Sequence, residues 1–218
     1  IYKYGSETQK QEWLPKMARG EAVGCFGLTE SDFGSNPSGM RTFAKRDGND
    51  WVINGSKMWI TNGNIADVAV VWAQSDEGIR GFCVPTTTPG FKANLIKHKL
   101  SLRASITSEL VFENMRVPDS YRLPEAKSLR APLMCLAEAR FGIIFGAIGA
   151  ARDCLESSVA YAKARVQFDR PIAGYQLTQA KFAEMGASIT TSTLLAYHLA
   201  DLKEAGKIEP EQISMGKY

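Results

Sequence analysis

Thr29 and Thr61, 32 residues apart, belong to two short stretches, Phe26-Gly27-Leu28-Thr29-Glu30 and Trp59-Ile60-Thr61. Their side chains suit a flat heteroaromatic ring. Such a ring is apolar on its faces and polar at its edges, so it needs an aromatic or aliphatic wall and a few hydroxyl or amide partners. Trp59 can be the wall, and Thr29 and Thr61 the partners. The turn-rich segment between the stretches, Ser31-Asp32-Phe33-Gly34-Ser35-Asn36-Pro37, carries a second kind of chemistry. Gly34 and Ser35 can turn main-chain N–H groups and a hydroxyl toward a phosphate. Taken singly, each stretch reads as an ordinary strand beside a Gly/Ser/Asn/Pro loop, because short motifs match by chance.

The elements that must position these residues are short strands. The first stretch alternates, with Phe26 and Leu28 facing one way and Gly27 and Thr29 the other. Lys57-Met58-Trp59-Ile60-Thr61 is rich in aromatic and β-branched residues, and Asn62-Gly63 ends it as a turn. Strands are predicted at 22–28, 41–46, 50–61, 68–74, 81–85, 92–95 and 108–118, with a hairpin signal at Gly48-Asn49-Asp50. Seven strands without intervening helices argue for an antiparallel barrel or sandwich. Ser6-Glu7-Thr8-Gln9 is a capping-box pattern that starts a short helix near Glu7, which Pro15 should end or kink. Beyond Pro124 the pattern turns helical. One long buried helix is expected from Leu133 to Ala164, a loop at 167–174, and a second long helix from Tyr175 to Ala205 closed by Gly206. Two such helices form an antiparallel hairpin whose remaining apolar faces need further helices.

Composition narrows the function classes. With 44% hydrophobic residues in 218, a proper core can form. The net charge of +3 comes without a basic block or interleaved aromatics, which leaves nucleic-acid binding without support. Cys25, Cys83, Cys135 and Cys154 are far apart and read as reduced core residues, and His98 and His198 lie outside any metal-ligand spacing. The charge-free apolar run 141–151 is too short to span a bilayer. Gly142 and Gly146 within it suit close packing of soluble helices. There is no Gly-x-Gly-x-x-Gly between a strand and a helix, so dinucleotide binding by that route is not indicated. The chain opens at Ile1 in what reads as mid-domain and stops at Tyr218, a few residues into a helix begun near Glu209-Pro210.

The paired threonine stretches, in this order and at this spacing, resemble the flavin-cradling segment of acyl-CoA dehydrogenases. Arg165-Val166-Gln167-Phe168, with Gln176 eleven residues after Arg165, resembles the family's Arg-x-x-Phe loop and glutamine. Ser101-Leu102-Arg103-Ala104-Ser105 is most like the glutaryl-CoA dehydrogenase branch. The resemblance implies an α+β fold: the end of an N-terminal helical domain (1–21), an antiparallel β-barrel middle domain (22–125) and part of a C-terminal helical bundle (126–218). It implies FAD as cofactor. Phe26, Leu28, Thr29, Gly34, Ser35, Trp59, Ile60 and Thr61 would attend the flavin, while Arg165, Phe168 and Gln176 would hold the ADP half of a FAD whose flavin lies on a neighbouring subunit. Bidentate guanidinium geometry suits a pyrophosphate. Ser35, Leu133, Leu136, Ala137 and Arg140 would line the acyl-CoA.

The implied reaction is α,β-dehydrogenation of a thioester, followed in the glutaryl branch by loss of the distal carboxylate as carbon dioxide to give crotonyl-CoA. The short- and branched-chain dehydrogenases are the alternative within the family. The partners implied are an acyl-CoA, an electron-transferring flavoprotein and copies of the same chain in a homotetramer, with no nucleic acid and no membrane, in a bacterial cytoplasm or a mitochondrial matrix. No catalytic residue and no metal ligand is assigned. A minority of the family carries its carboxylate base directly before the arginine that corresponds to Arg140, and here that position is Ala139. Glu138 is one helical step away, rotated by about 100 degrees. Glu30 reads as a structural acceptor. The base of the remaining members lies in the last third of the family's chain, beyond the position of Tyr218. A non-catalytic flavin or acyl-CoA binding module is the reading from outside enzymes.

Overall fold

The structure is a computed structural model that describes residues 1–218. Ser6 caps the first helix, α1 (Glu7–Ala18), reciprocally. Its hydroxyl accepts from Gln9 N at 3.2 Å, and Gln9 Oε1 accepts from Ser6 N at 2.9 Å. Pro15 does not end the helix, the first of the two outcomes, an end or a kink, expected there. It lies within α1, and the carbonyl four residues back that loses its donor belongs to exposed Gln11, where water can serve it. The buried Gln9 amide donates to Ser120 O and Arg122 O, which docks α1 on the turn after the last long strand.

Seven strands follow: β1 (Gly24–Gly27), β2 (Phe43–Asp47), β3 (Asp50–Thr61), β4 (Val68–Ala73), β5 (Arg80–Pro85), β6 (Phe91–Leu95) and β7 (Thr107–Pro118). They agree closely with the expected spans, because period-2 alternation and Gly/Asn/Pro turns mark strands locally. The all-antiparallel barrel requires correction. The strands fall into two sheets, ordered β1-β4-β5 and β2-β3-β7-β6, and β1 runs parallel to β4 from Gly24/Val68 to Gly27/Val71. The β2–β3 hairpin is inserted between β1 and β4, so their connection is long enough for a parallel crossover. The sheets meet where Phe43 bridges Gln74 and where Met58 N donates to Thr29 O at 2.8 Å. Gly48, at φ +63°, opens the two-residue hairpin turn between β2 and β3.

Both sheets bury their inner faces in one core that includes Trp51, Ile53, Val71, Phe82, Leu110, Phe112 and Met115. Trp51 meets Phe82 edge-on at 5.5 Å, and its Nε1 donates to Asp119 Oδ1 at 2.8 Å, so the ring is packed and its one polar atom is satisfied. Asp119 also accepts from Arg122. That hydrogen bond, aided by Trp51 and against some desolvation, holds its pKa at about 2. A carboxylate lowered in the folded state stabilises above its ordinary value near 3.8, and that contribution is lost as pH falls toward 2. Asp119→Asn should therefore lower Tm at neutral pH and flatten the acid limb of a Tm-versus-pH curve in that window. An unchanged acid limb would show that other carboxylates govern it.

Residues Ile1–Leu133 and Met134–Tyr218 are separate compact units. After the strands, the chain forms α2 (Arg130–Ala164), whose first four residues belong to the first unit, the short strands β8 (Val166–Gln167) and β9 (Arg170–Pro171), α3 (Gln176–Glu204) and α4 (Pro210–Lys217). Within the second unit α2 packs on α3 through Ile144, Ala196 and Leu199, and Lys203 pairs with Glu138 at 2.6 Å. The expectation of a buried helix fails within this chain: most of α2 is exposed, and apart from the helix's own nearby backbone nothing lies within 4 Å of a Cβ built on Gly142, Gly146 or Gly149. Two helices can cover only one stripe of each other. By length and composition α2 is also apolar enough to cross a membrane, with an 18-residue window of mean hydropathy 1.6, although its charge-free run is shorter. Cys25 and Cys83 are core residues, as read from sequence, whereas Cys154 is exposed on α2.

Candidate functional site

Trp59 is displayed by a break in the pleat of β3. Strict alternation from Trp51 and Ile53 would turn every second residue, Trp59 included, toward the core. The pairing of β3 with β7 slips between Lys57 and Ile60, and Trp59 takes φ +64°. A bulge of this kind reverses the phase of a strand. Ile60 is consequently 3% exposed, whereas Trp59 is 59% exposed, the only tryptophan so presented. Thr61, two residues on, is exposed at the end of the strand, and half-buried Thr29 is tied to the bulge by the Met58 hydrogen bond. Trp59, Thr61 and Thr29 are thus gathered at one end of the β unit. Leu28 and Ile60 turn their side chains into the core, so only their main-chain groups can serve a ligand. Phe26 is half-buried and packs on Trp72 at 6.0 Å. Gly34 and Ser35 lie exposed in the following loop, and a Cβ added at Gly34 meets nothing within 4 Å.

Beneath this surface is a feature that sequence reading missed. Lys57 is fully buried, and its Nζ donates to Glu30 Oε1 at 2.9 Å and to Leu28 O at 3.1 Å. Glu30 accepts two more hydrogen bonds, from Arg41 N and Thr42 N. Burial works against the Glu30 carboxylate, but the donors from Arg41, Lys57 and Thr42 outweigh it and keep its pKa low. For Lys57, burial lowers the pKa and Glu30 pulls it partly back. Glu30 is therefore the structural acceptor expected of it. The signal for Lys57 was available: it shares the inward phase of Trp51 and Ile53, and a lysine there needs a buried anion.

In the second unit the expected loop at 167–174 is a tight hairpin. Gln167 faces Arg170 across a two-residue turn, Phe168-Asp169, and both turn residues have positive φ (51° and 60°). This is the backbone that two-residue hairpins favour, though it is usually built from Asn and Gly. The turn is held by Tyr175 Oη donating to Gln167 O at 2.7 Å and by Arg170 stacked 3.9 Å over the Tyr175 ring. Phe168 is left 91% exposed. Arg165 ends α2 with an exposed side chain, and Ile172 N returns to its carbonyl at 2.8 Å. Gln176 is the first residue of α3, whose N-cap Tyr175 supplies no side-chain cap. An uncapped helix N-terminus attracts anions, so the start of α3 at Gln176 suits a phosphate, and the exposed Arg165 precedes the same hairpin.

The residues expected along an acyl-CoA are placed unevenly. Leu133 and Arg140 are exposed, Leu136 is half-buried, and Ala137 is buried. Ser101 to Ser105 form an exposed loop between β6 and β7, where Leu102 has φ +49° and Arg103 Nε donates to Lys99 O. The two carboxylates weighed from the sequence, Glu138 and Glu30, each have partners of their own. Glu138 is engaged by Lys203, and Glu30 by Lys57 and two main-chain donors.

Comparison with known proteins places these features in context. Family models described as the N-terminal, middle and C-terminal domains of acyl-CoA dehydrogenase match residues 1–21, 25–115 and 129–218. An acyl-CoA dehydrogenase of Bacillus subtilis is 39% identical over all of this chain and 59% of its own length. The human mitochondrial short-chain specific acyl-CoA dehydrogenase is 36% identical over all of this chain and 54% of its own length. The chain thus spans 54–59% of the length of these curated relatives. A crystal structure of a Mycobacterium smegmatis glutaryl-CoA dehydrogenase in complex with FADH2 superimposes with a TM-score of 0.98 at 65% identity, over 99% of this chain and 56% of that one.

Proposed function

The chain belongs to the acyl-CoA dehydrogenase family, and from that premise we propose that it works in FAD-dependent α,β-dehydrogenation of glutaryl-CoA, with decarboxylation to crotonyl-CoA. The observation that carries the choice of branch is the 65% identity to the Mycobacterium smegmatis glutaryl-CoA dehydrogenase, against 36% to the human short-chain enzyme. The Ser101–Ser105 run points the same way.

The residues present fit FAD. An exposed tryptophan held out of the pleat at positive φ is a wall without a covering layer in this chain, with Thr61 two residues on and Thr29 tied to the same bulge through Met58 N. Hydride acceptance is the chemistry that a bound flavin supplies. Trp59 would cover one ring face and keep water from it. Thr29 and Thr61 would donate to the polar ring edge, and the main chain of Gly34 and Ser35 would serve a phosphate. Arg165 and Gln176 would hold the diphosphate half of a neighbouring subunit's cofactor, with Phe168 against it, in a homotetramer that also covers α2 and α3 with protein. Ser35, Leu133, Leu136 and Arg140 would orient the thioester. The α-proton goes to a carboxylate that this chain does not assign, since Ala139 has none to offer. An electron-transferring flavoprotein would reoxidise the enzyme.

Anaerobic addition of glutaryl-CoA to the purified native protein, where that carboxylate is supplied, should bleach the visible flavin band and release carbon dioxide with crotonyl-CoA, whereas residues 1–218 alone should not turn over. Bleaching by butyryl-CoA alone would move the protein to the short-chain branch. A flavin band that no acyl-CoA bleaches would leave a binding module.

A further inference from the structure

We infer that the buried Lys57–Glu30 pair is a positioning device that sets Trp59 and Thr29 for the ring they face. Lys57 lies two residues before Trp59, at the point where the β3–β7 register slips. From there its ammonium group reaches back to Leu28 O and Glu30 Oε1, on either side of Thr29. Glu30 in turn fixes Arg41 N and Thr42 N at 2.7 and 2.9 Å, which anchors the far end of the loop that carries Gly34 and Ser35. One buried cation thus joins three segments of the candidate site: the bulge, the end of β1 and the returning loop. Met58 N bonded to Thr29 O adds a main-chain link at the same place.

The clamp has a mechanical consequence. A bulky residue at φ +64° is strained, and such backbone persists only where its surroundings over-determine it. Without Lys57, the segment can relax toward extended backbone. Alternation would then continue from Ile53 through Trp59 and turn the indole toward the core. A lysine that served folding alone would change stability and leave the exposure of Trp59 unaltered.

Acrylamide quenching reads this directly. Trp59 is 59% exposed, whereas Trp13, Trp51 and Trp72 are at most 8% exposed, so the quenchable emission is that of Trp59. In Lys57→Met, at a temperature where far-UV circular dichroism matches the parent, the quenchable share should fall. FAD should bind on the order of tenfold more weakly, because misplaced contacting groups lose binding without losing the fold. Lys57→Arg, which keeps the charge and the hydrogen bonds, should restore part of both. The affinity arm rests on the flavin reading above, and the quenching arm does not. If the parent protein binds no FAD, that reading falls and quenching alone decides the inference. If Lys57→Met does not fold, Glu30→Gln takes its place. It removes the anion that holds Lys57 and keeps one acceptor oxygen where Glu30 offers Oε1 to Thr42 N and Lys57 and Oε2 to Arg41 N, so it loosens the same clamp from its other side and should shift both readouts the same way. A folded Lys57→Met or Glu30→Gln protein with parental quenching and parental FAD affinity overturns the inference.

Discussion

Gly55→Ala is expected to destabilise the protein by about 4 kcal/mol, the sum of a backbone strain and an overpacking cost. Gly55 has φ +138°, a conformation that L side chains rarely adopt. An added Cβ would lie 2.6 Å from both Cα and Oγ1 of Thr42. Thr42 has nowhere to retreat. It is 1% exposed, its N–H donates to Glu30 Oε1 at 2.9 Å, its hydroxyl donates to Ser56 O at 3.1 Å, and its carbonyl accepts from Gln74 N at 2.8 Å. Strain at Gly55 is therefore passed to the bridge between the sheets and to the Glu30–Lys57 pair. The measurement is a urea titration: the midpoint should fall with the slope unchanged. Gly48→Ala is the control, since Gly48 also has positive φ (+63°) but nothing lies within 4 Å of its Cβ position. It should cost only the left-handed backbone term, about 1 kcal/mol. Equal losses at the two glycines would mean that the contact with Thr42 relaxes freely.

The same residues mark the limit of what the sequence could disclose. Strand spans were legible because alternation and turn residues are local, and β3 matches its expected span of Asp50–Thr61. The bulges inside that strand were not. A bulge depends on the partner strand, and nothing in Trp59-Ile60-Thr61 states that the phase reverses between Lys57 and Ile60. The parallel pairing of β1 with β4 was hidden for a similar reason: a short apolar strand reads alike in either direction. Helix lengths were legible and helix burial was not. Leu, Ile and Ala density shows that α2 must be covered, but it does not say by what. At the candidate site, Thr29, Trp59 and Thr61 were recognisable as a set by their motif, whereas Lys57 and Glu30, 27 residues apart, become a pair only when β3 meets the end of β1.

Arg165→Ala should leave stability unchanged and weaken FAD binding by roughly 10- to 100-fold, the range for losing charge-assisted hydrogen bonds to a phosphate. The separation follows from its surroundings. Arg165 is exposed at the end of α2, and the structural bond at this residue is made by its carbonyl, which accepts from Ile172 N at 2.8 Å. Replacing the side chain leaves that bond intact, so the hairpin should still form. Arg170 is the counterpart with the opposite expectation. Its guanidinium lies 3.9 Å over the Tyr175 ring, and that tyrosine closes the hairpin through Gln167 O. Arg170→Ala should therefore loosen the turn and lower Tm by a small amount, since an exposed cation–π contact contributes about 0.5–1 kcal/mol. Arg165→Lys discriminates charge from geometry. A point charge cannot reproduce a bidentate fork, so lysine should recover only part of the affinity, and its binding should be the more sensitive to salt. The checks are equilibrium FAD titration of the apoprotein and thermal melts of the same samples. If Arg165→Ala binds FAD as tightly as the parent, this surface does not receive the cofactor's phosphates, and the uncapped start of α3 beside Gln176 loses its assigned role. If FAD binding and Tm fall together, Arg165 supports the fold of the hairpin and its part in binding is indirect.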